Sequence, residues 1–449
     1  MAHTVATSTG MLLTIVSAAA ALTADRVGAG PPTPWVDTTD GVHAFLTFDG
    51  GINSSLTNIT AHAKSYDFVW GAESKHIASY RKSNREIKLS MYIPYSRDPS
   101  CSAAHPPTDV ELATSIARNG NPPPGPGPHK HGKLVPTNIK WWLANHPDWV
   151  TYKCDKKTIA YEEGDCNVPL DISNRAVIEW QQSFVREAAA SGYDAMACDN
   201  YQLESMGDAC GVYAGGKWVQ KWTGKENEPQ LAKDVVEWMR QFVKLAHTVK
   251  AQSGKSMLVL PNSCGIPTDD AVWQLPDAVL NEEGFTRAGH TIAIGEPEFV
   301  ALVNYMVKIQ QAGKAYYSLN EWGAHTNSSG LDRAIRQWCV STYLMGKNQA
   351  SAVYISTTQG YGYLMPIQQW PELTAPVGVA IGAMGKQQGV YIRNYTTGLS
   401  IVNPTNISAT VNLDSAYDYT YCYGATVAAA NHVMLAQSGA VILRKTKQV

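Results

Sequence analysis

Eight short apolar runs, separated by longer stretches of helical spacing, restrict the folds open to this chain of 449 residues more than any other feature. The runs are His43 to Phe48, Asp67 to Gly71, Ile87 to Ile93, Asp194 to Cys198, Met257 to Pro261, Ala278 to Glu282, Ala315 to Asn320 and Ala352 to Ser356. Between them, segments such as Val177 to Ala190 and Lys233 to Ala251 repeat apolar residues every three or four positions, as Val235, Val236, Met239, Phe242, Val243 and Ala246 do. Strands alternating with helices build a parallel sheet. Eight such units predict a (β/α)8 TIM barrel, which presents its reactive groups at the C-terminal ends of its strands.

The remaining chain divides around that barrel. Met11 to Ala24 is an apolar, alanine-rich run short of the ~20 residues that span a bilayer, so residues 1–24 read as a signal peptide and 25–40 as a linker. The barrel then occupies 41–384, with a long insertion at about 94–173 that carries the stretch from Asn121 to Gly132, rich in Pro and Gly. Beyond Met384 the pattern becomes alternating strand-like pieces with no helical period, which predicts a small all-β sandwich over 385–449.

Composition removes several classes of function. Charged residues make up 16% and the net charge is −2, with both signs scattered, which argues against nucleic acid or an anionic membrane as the main partner. There is no Gly-x-Ser-x-Gly elbow for a serine hydrolase. No Cys-x-x-Cys or His-x-x-x-His spacing points to a metal, His129 and His131 read as a solvated loop tip, and no cofactor is expected. The eight cysteines do not make a disulfide scaffold; Cys154 is expected to pair with Cys166 and Cys210 with Cys264, while Cys198 reads as a buried thiol. Acceptor tripeptides for N-linked glycans at Asn53, Asn58, Asn327, Asn394 and Asn406 fit a secreted, extracellular glycoprotein.

Acids stand at the ends of several predicted strands. The fourth ends in Asp199 and Asn200, the sixth in Asn281, Glu282 and Glu283, the seventh in Asn320, Glu321 and Trp322, and the first in Phe48, Asp49 and two glycines. Side chains alternate faces along a strand, so Ala195, Ala197 and Asp199 share one face. In the sixth run Val279, Asn281 and Glu283 share a face that turns polar toward the mouth, which points Glu283 inward and Glu282 outward unless a bulge swaps them. Glu321 is the rival to Glu283. With 22 Tyr and 13 Trp against 7 Phe, many rings carry a polar handle. Trp70, Trp149, Tyr152, Tyr201 and Trp322 are candidate stacking surfaces for a sugar, with Asp49, Asp171, Asn200, Asn262 and Asn281 as candidate partners for its hydroxyls.

The runs Gly192-Tyr-Asp-Ala-Met-Ala-Cys-Asp199-Asn200 and Asp277-Ala-Val-Leu-Asn281-Glu282-Glu283-Gly284-Phe285, with Leu260-Pro-Asn262 before the second and Gly313-Lys-Ala-Tyr-Tyr317 after it, resemble glycoside hydrolase family 114, the endo-α-1,4-polygalactosaminidases. The chain also looks like the loosely defined glycosyl hydrolase barrels with a Pro-Asp-Trp segment, a Leu-Asp-Ile-Ser segment and a C-terminal β domain; here these are Pro147 to Trp149, Leu170 to Ser173 and the region past Met384. The resemblance implies a catalytic pair of Asp199 and a Glu of the sixth strand.

Glycosidic hydrolysis needs one protonated carboxyl group to assist the leaving oxygen and one ionised group to attack carbon or activate water. The expected roles are Asp199 as nucleophile or base, supported by Asn200, and Glu283 as acid. The partner is then a polysaccharide or glycoconjugate. The alternative is a catalytically inactive barrel that binds carbohydrate in an extracellular coat.

Overall fold

The computed structural model describes residues 42–47, 59–60, 63–64, 66–94, 97–99, 139–161, 167–204, 207–267, 269–286, 294–320, 329–348, 353–356 and 371–447. The expected leader and linker, His129 and His131, Asp49, Glu321, Trp322, Cys166, and the glycan acceptors Asn53, Asn58 and Asn327 lie outside them. Asn394 and Asn406 are exposed.

In chain order the first strands are β1 (His43–Thr47), β2 (Phe68–Trp70), β3 (Lys88–Pro94), β4 (Arg97–Pro99), β5 (Asn167–Pro169), β6 (Ala195–Asp199), β7 (Gly211–Ala214), β8 (Lys217–Gln220), β9 (Leu258–Pro261), β10 (Ala278–Asn281), β11 (Ala315–Ser318) and β12 (Val353–Ser356). Eight of them form one parallel sheet in the order β10-β11-β12-β1-β2-β3-β6-β9. Its two ends meet: Asn262 bridges Leu280 in parallel, Ser263 N–H donates to the Leu280 carbonyl at 2.9 Å, and Asp277 N–H donates to the Val259 carbonyl at 3.0 Å. The sheet is therefore a closed barrel. Helices α1 (Ile77–Ser83), α2 (Ile139–Asn145), α3 (Arg175–Ser191), α4 (Pro229–Thr248), α5 (Ala271–Gln274), α6 (Glu296–Gln311) and α7 (Ser329–Gly346) connect its strands. Local chemistry marks their ends: the Asn174 side chain accepts from Ala176 N–H at 2.9 Å to cap α3, and Gly192, at φ +97°, stops it in the left-handed region.

Alternation sorts each strand into two layers. Ala195, Ala197, Leu260, Ala278, Leu280, Ala315, Tyr317, Phe45, Phe68, Trp70 and Tyr92 fill the barrel interior. Met196, Cys198, Val259, Val279 and Tyr316 face the helices, where they meet the apolar stripe of α4, including Trp238, Met239 and Phe242. Inside, alanines on β6, β10 and β11 leave room for the rings of β1, β2 and β3. Tyr317 stands edge-on to Phe45 at 5.1 Å and against Phe68 at 4.9 Å, geometries worth about 0.5–1.5 kcal/mol beyond area burial.

Two insertions rise after strands β3 and β6. In the first, Trp142, Trp149, Val150, Val168, Leu170 and Val177 form a satellite core of their own. The second carries the β7–β8 hairpin. Tyr152 and Gly211 bridge the two, and Cys154 joins Cys210 with Cα atoms 5.0 Å apart. This corrects the expected pairings. The backbone bonds from Tyr152 N–H to Gly211 and from Cys210 N–H to Tyr152 draw the two loops together, and Cys264 is not joined to Cys210.

The C-terminal unit adds β13 (Ala380–Gln387), β14 (Val390–Tyr395), β15 (Gly398–Asn403), β16 (Ala409–Val411), β17 (Tyr417–Tyr421), β18 (Thr426–Val427), β19 (His432–Met434) and β20 (Ser438–Thr446). A six-stranded sheet, β13-β14-β15-β20-β17-β18, encloses a core of Ile392, Leu399, Ile401, Val411 and Met434 with the β16–β19 ribbon. Met384 falls inside β13, so the change of pattern starts a few residues before the expected boundary. The sheet's other face seats on α7: Tyr395 hydroxyl donates to the Leu344 carbonyl at 2.6 Å, Arg393 Nη1 to the same carbonyl at 2.9 Å, and Ser400 hydroxyl to the Ser341 carbonyl at 2.9 Å. The first two contacts satisfy the Leu344 carbonyl, one of the last four of the helix, which have no partner within it.

The β9–β10 seam contains a titrating contact. His247 Nε2 lies 3.0 and 3.1 Å from the two Asp277 oxygens, and Asp277 Oδ2 also accepts Val259 N–H at 2.9 Å. The hydrogen bond to Asp277 raises the His247 pKa, against the smaller opposing effect of burial. A raised folded pKa stabilises the fold below the unfolded value of about 6.5, and the contribution disappears as pH rises through the folded value. Urea unfolding of His247→Gln against wild type should show a deficit of about 0.5–1 kcal/mol at pH 5.5, small because the pair is partly exposed, and a narrower one at pH 9. An identical deficit at both pH values contradicts the assignment.

Candidate active site

Three strand ends converge at the barrel mouth. Asp199 closes β6, Asn262 follows β9 directly, and Glu282 follows β10 directly. Asn262 is 2% exposed, and its Nδ2 lies 3.0 Å from Asp199 Oδ1 and 2.6 Å from Glu282 Oε2. One amide group thus touches both carboxylates. Asp199 receives two further hydrogen bonds, from the Tyr92 hydroxyl to Oδ2 at 2.6 Å and from Asn200 N–H to Oδ1 at 3.0 Å. Asn200 sits at φ +55°, a left-handed conformation that Asn tolerates.

The expectation that Glu283 points inward is overturned. The interior residues of β10 are Ala278 and Leu280, so continued alternation brings Glu282 to the mouth. Asn281, whose polarity suggested the opposite face, is fully buried outside the barrel, where its Nδ2 donates to the Tyr316 hydroxyl at 2.9 Å and its Oδ1 accepts Gly284 N–H at 3.2 Å. It holds the turn rather than a ligand. Glu283 is exposed and lies along the backbone of Gly265.

The other expected contacts separate into scaffold and mouth. Trp70 is 1% exposed within the barrel, edge-on to Tyr92 at 5.4 Å, where it supports the ring that reaches Asp199. Trp149 packs between Trp142 and the His146 ring, the latter 4.2 Å away, in the satellite core. Tyr201 is fully buried against Trp238, and desolvation raises its pKa far above the ordinary value. Asp171 is buried, paired with Lys221 at 3.3 Å, and accepts Ser173 N–H at 3.0 Å, so it organises the entry to α3. None of these four offers an open surface to a sugar. Tyr92 was not among the expected residues. Its signal was present in the alternation of Lys88, Ser90 and Tyr92 against Leu89, Met91 and Ile93, which sets the polar members inside.

Asp199 accepts from three donors, and Glu282 shares the Asn262 amide with it. The arrangement sets two carboxyl groups side by side at the barrel mouth, the pairing that acid–base or nucleophilic chemistry at a sugar carbon uses. Among the described residues no group of three or more His, Cys, Asp or Glu is arranged to hold a metal ion, and no helix is long and apolar enough to cross a membrane.

No protein-family model and no curated protein sequence matches the chain. Solved structures do share its architecture. Amy13B of Eubacterium rectale superposes with a TM-score of 0.51 at 11% identity over 93% of this chain and 98% of that one. The trehalose-6-phosphate hydrolase of Bacillus licheniformis reaches 0.50 at 10% identity, and the isomaltulose synthase of Klebsiella sp. LX3 reaches 0.50 at 10%, each over 92% of this chain and 100% of its own. The fold is a (β/α)8 barrel with a C-terminal β domain.

The turn after β10 carries a sharp test. Gly284 sits at φ +53°, and an added Cβ there would stand 2.1 Å from the Leu319 carbonyl oxygen, whereas at Gly265 it would meet only the end of the Glu283 side chain at 2.9 Å. Gly284→Ala should cost about 3 kcal/mol or more in denaturant unfolding. Gly265→Ala should stay within about 0.5 kcal/mol, because an exposed glutamate can swing aside. Equal costs would contradict this placement of the turn.

Proposed function

We propose that this chain is a retaining glycoside hydrolase, with Asp199 as nucleophile and Glu282 as acid and then base, acting on a polysaccharide or glycoconjugate outside the cell. The observation that carries the reading is the single Asn262 amide between the two carboxylates. The two N–H bonds of a primary amide diverge by about 120°, so acceptors at 3.0 and 2.6 Å from the nitrogen stand roughly 5 Å apart. That spacing agrees with the ~5–5.5 Å of retaining enzymes and falls short of the ~6.5–9.5 Å that leaves room for water in inverting ones. Support also comes from the likeness of the strand-end runs to family 114, and from a fold shared with a trehalose-6-phosphate hydrolase. Secretion rests on the apolar leader and the glycan acceptor tripeptides.

In the first step an Asp199 oxygen forms a bond to the anomeric carbon while the bond from that carbon to the leaving oxygen breaks and the Glu282 proton passes to that oxygen. In the second, Glu282 takes a proton from water, whose oxygen displaces Asp199 and restores the starting state. Asp199, fixed by three donors, is the group positioned to attack, and Glu282 is the one assigned to deliver the proton.

Reducing-end assays on a panel of α- and β-linked homopolysaccharides test the assignment. Asp199→Asn and Glu282→Gln should each lower kcat by about 10²–10⁴-fold. Glu283→Gln should stay within about threefold of wild type, since that side chain is exposed and turned against Gly265. The anomer first released, followed by proton NMR, should be the one present in the substrate. Full activity in Asp199→Asn or Glu282→Gln would remove that residue's assignment, and no cleavage of any glycan by wild type that nonetheless binds some would remove the hydrolase reading.

A further inference from the structure

We propose that one face of the β7–β8 hairpin is a second carbohydrate site, where Trp218, Tyr213 and Tyr152 hold a strand of polysaccharide apart from the catalytic pair. The choice of ligand, a chain of pyranose rings, rests on the hydrolase reading above. The hairpin stands on the insertion after β6, and Tyr152 comes from the insertion after β3. Those strands carry Asp199 and Tyr92, so both insertions rise from the Asp199 side of the mouth.

The face is built by register. Tyr213 pairs with Trp218 across the ribbon and Val212 with Val219, so the rings share one side and the valines the other. Gly215 and Gly216, at φ +56° and +74°, make the tight turn that this pairing requires. Val212 is buried, whereas Tyr213 and Trp218 stay partly exposed, as does Tyr152, one of the expected stacking rings. Tyr152 bridges Gly211, and an added Cβ on Gly211 would stand 2.8 Å from the Trp218 ring. The indole therefore lies low across the ribbon backbone. Tyr213 stands 5.5 Å from Trp218 and, edge-on, 5.3 Å from Tyr152.

The ribbon is already fixed without these rings, by the Cys154–Cys210 bond and by the backbone bonds that join Tyr152 to Cys210 and Gly211. Tryptophans that serve the packed core anchor their N–H groups, Trp238 on Gln181 at 2.6 Å and Trp338 on the Phe285 carbonyl at 2.8 Å. The Trp218 N–H has no acceptor among the described residues. A pyranose ring presents an apolar face of C–H bonds with hydroxyls around its edge, and such a face lies flat on an aromatic ring while the hydroxyls stay in water. Lys156 supplies a polar rim. Its Nζ lies 5.9 Å from the Trp218 ring centroid, a weak contact of an exposed side chain that swings aside for a sugar and donates to its hydroxyls.

Affinity electrophoresis of the full chain, in gels cast with amylose, dextran, laminarin, xylan, chitosan or polygalacturonate, tests the site apart from cleavage. Wild type and Asp199→Asn should both be retarded by at least one of these polymers. On that polymer Trp218→Ala should raise Kd about tenfold, Trp218→Phe should return to within about threefold, and Val219→Ala, on the other side of the ribbon, should match wild type. Hydroxyl-radical footprinting of wild type gives a reading free of any folding defect: the polymer should cut oxidation of Trp218 and Tyr213 by about threefold or more. If the polymer is also the one cleaved, Trp218→Ala should raise KM about tenfold and leave kcat within about twofold. Retardation of wild type by none of the gels, wild-type affinity in Trp218→Ala, or Trp218 oxidation unchanged by the polymer would each overturn the proposal, and the hydrolase reading would stand wherever Asp199→Asn abolishes cleavage. Retardation that depends on Trp218 without cleavage of any polymer would instead remove the hydrolase reading and keep the site.

Discussion

Closure of the barrel between β9 and β10 is the constraint on which the rest of this molecule depends. A parallel sheet with open edges leaves unpaired backbone groups, and the chain removes them by pairing Asn262 with Leu280 and Asp277 with Val259. That seam also decides the site. Asn262 ends one of the joined strands and Glu282 ends the other, so the register that closes the sheet puts the amide against the carboxylate. Asp199, on the strand that pairs with the other side of β9, completes the set.

Burial makes those bonds count. Inside a protein, a hydrogen bond is stronger than in water and an unpaired polar group is correspondingly costly. Asn262 meets this demand with partners at both ends of its amide, two carboxylates on one side and a backbone N–H on the other. Tyr92 adds a donor from below, and Trp70 supports its ring. The aromatic richness of the sequence serves mainly this kind of support. Trp142, Trp149, Trp238 and Tyr201 sit in packed layers, and the β domain seats its own polar and apolar groups on α7.

Much of the fold was legible because its signals are local. Each of the eight strand-like runs contains or closely overlaps an observed barrel strand, since a short apolar run bounded by turn residues records burial directly. The site was less legible. On β6, alanines at 195 and 197 correctly marked the interior, because a small residue there makes room for rings from across the barrel. On β10 the polarity of Asn281 misled: a buried asparagine that bonds Tyr316 and caps a turn looks, in a sequence, like one that awaits a ligand. Ala278 and Leu280 held the contrary signal. The Cys154–Cys210 pairing was out of reach altogether, because it depends on two insertions meeting in space across 56 residues of chain.

The central claim is that Asp199 is the nucleophile of a pair completed by Glu282. Trapping the chain with 5-fluoro glycosyl fluorides of the sugar it hydrolyses fastest, followed by peptide mass spectrometry, tests it most directly. The account predicts a glycosyl adduct on the peptide that contains Asp199, at the Asp199 side chain, and no adduct in Asp199→Asn. An adduct on Glu282, Glu283 or Glu321, or cleavage with inversion and no adduct at all, would contradict it.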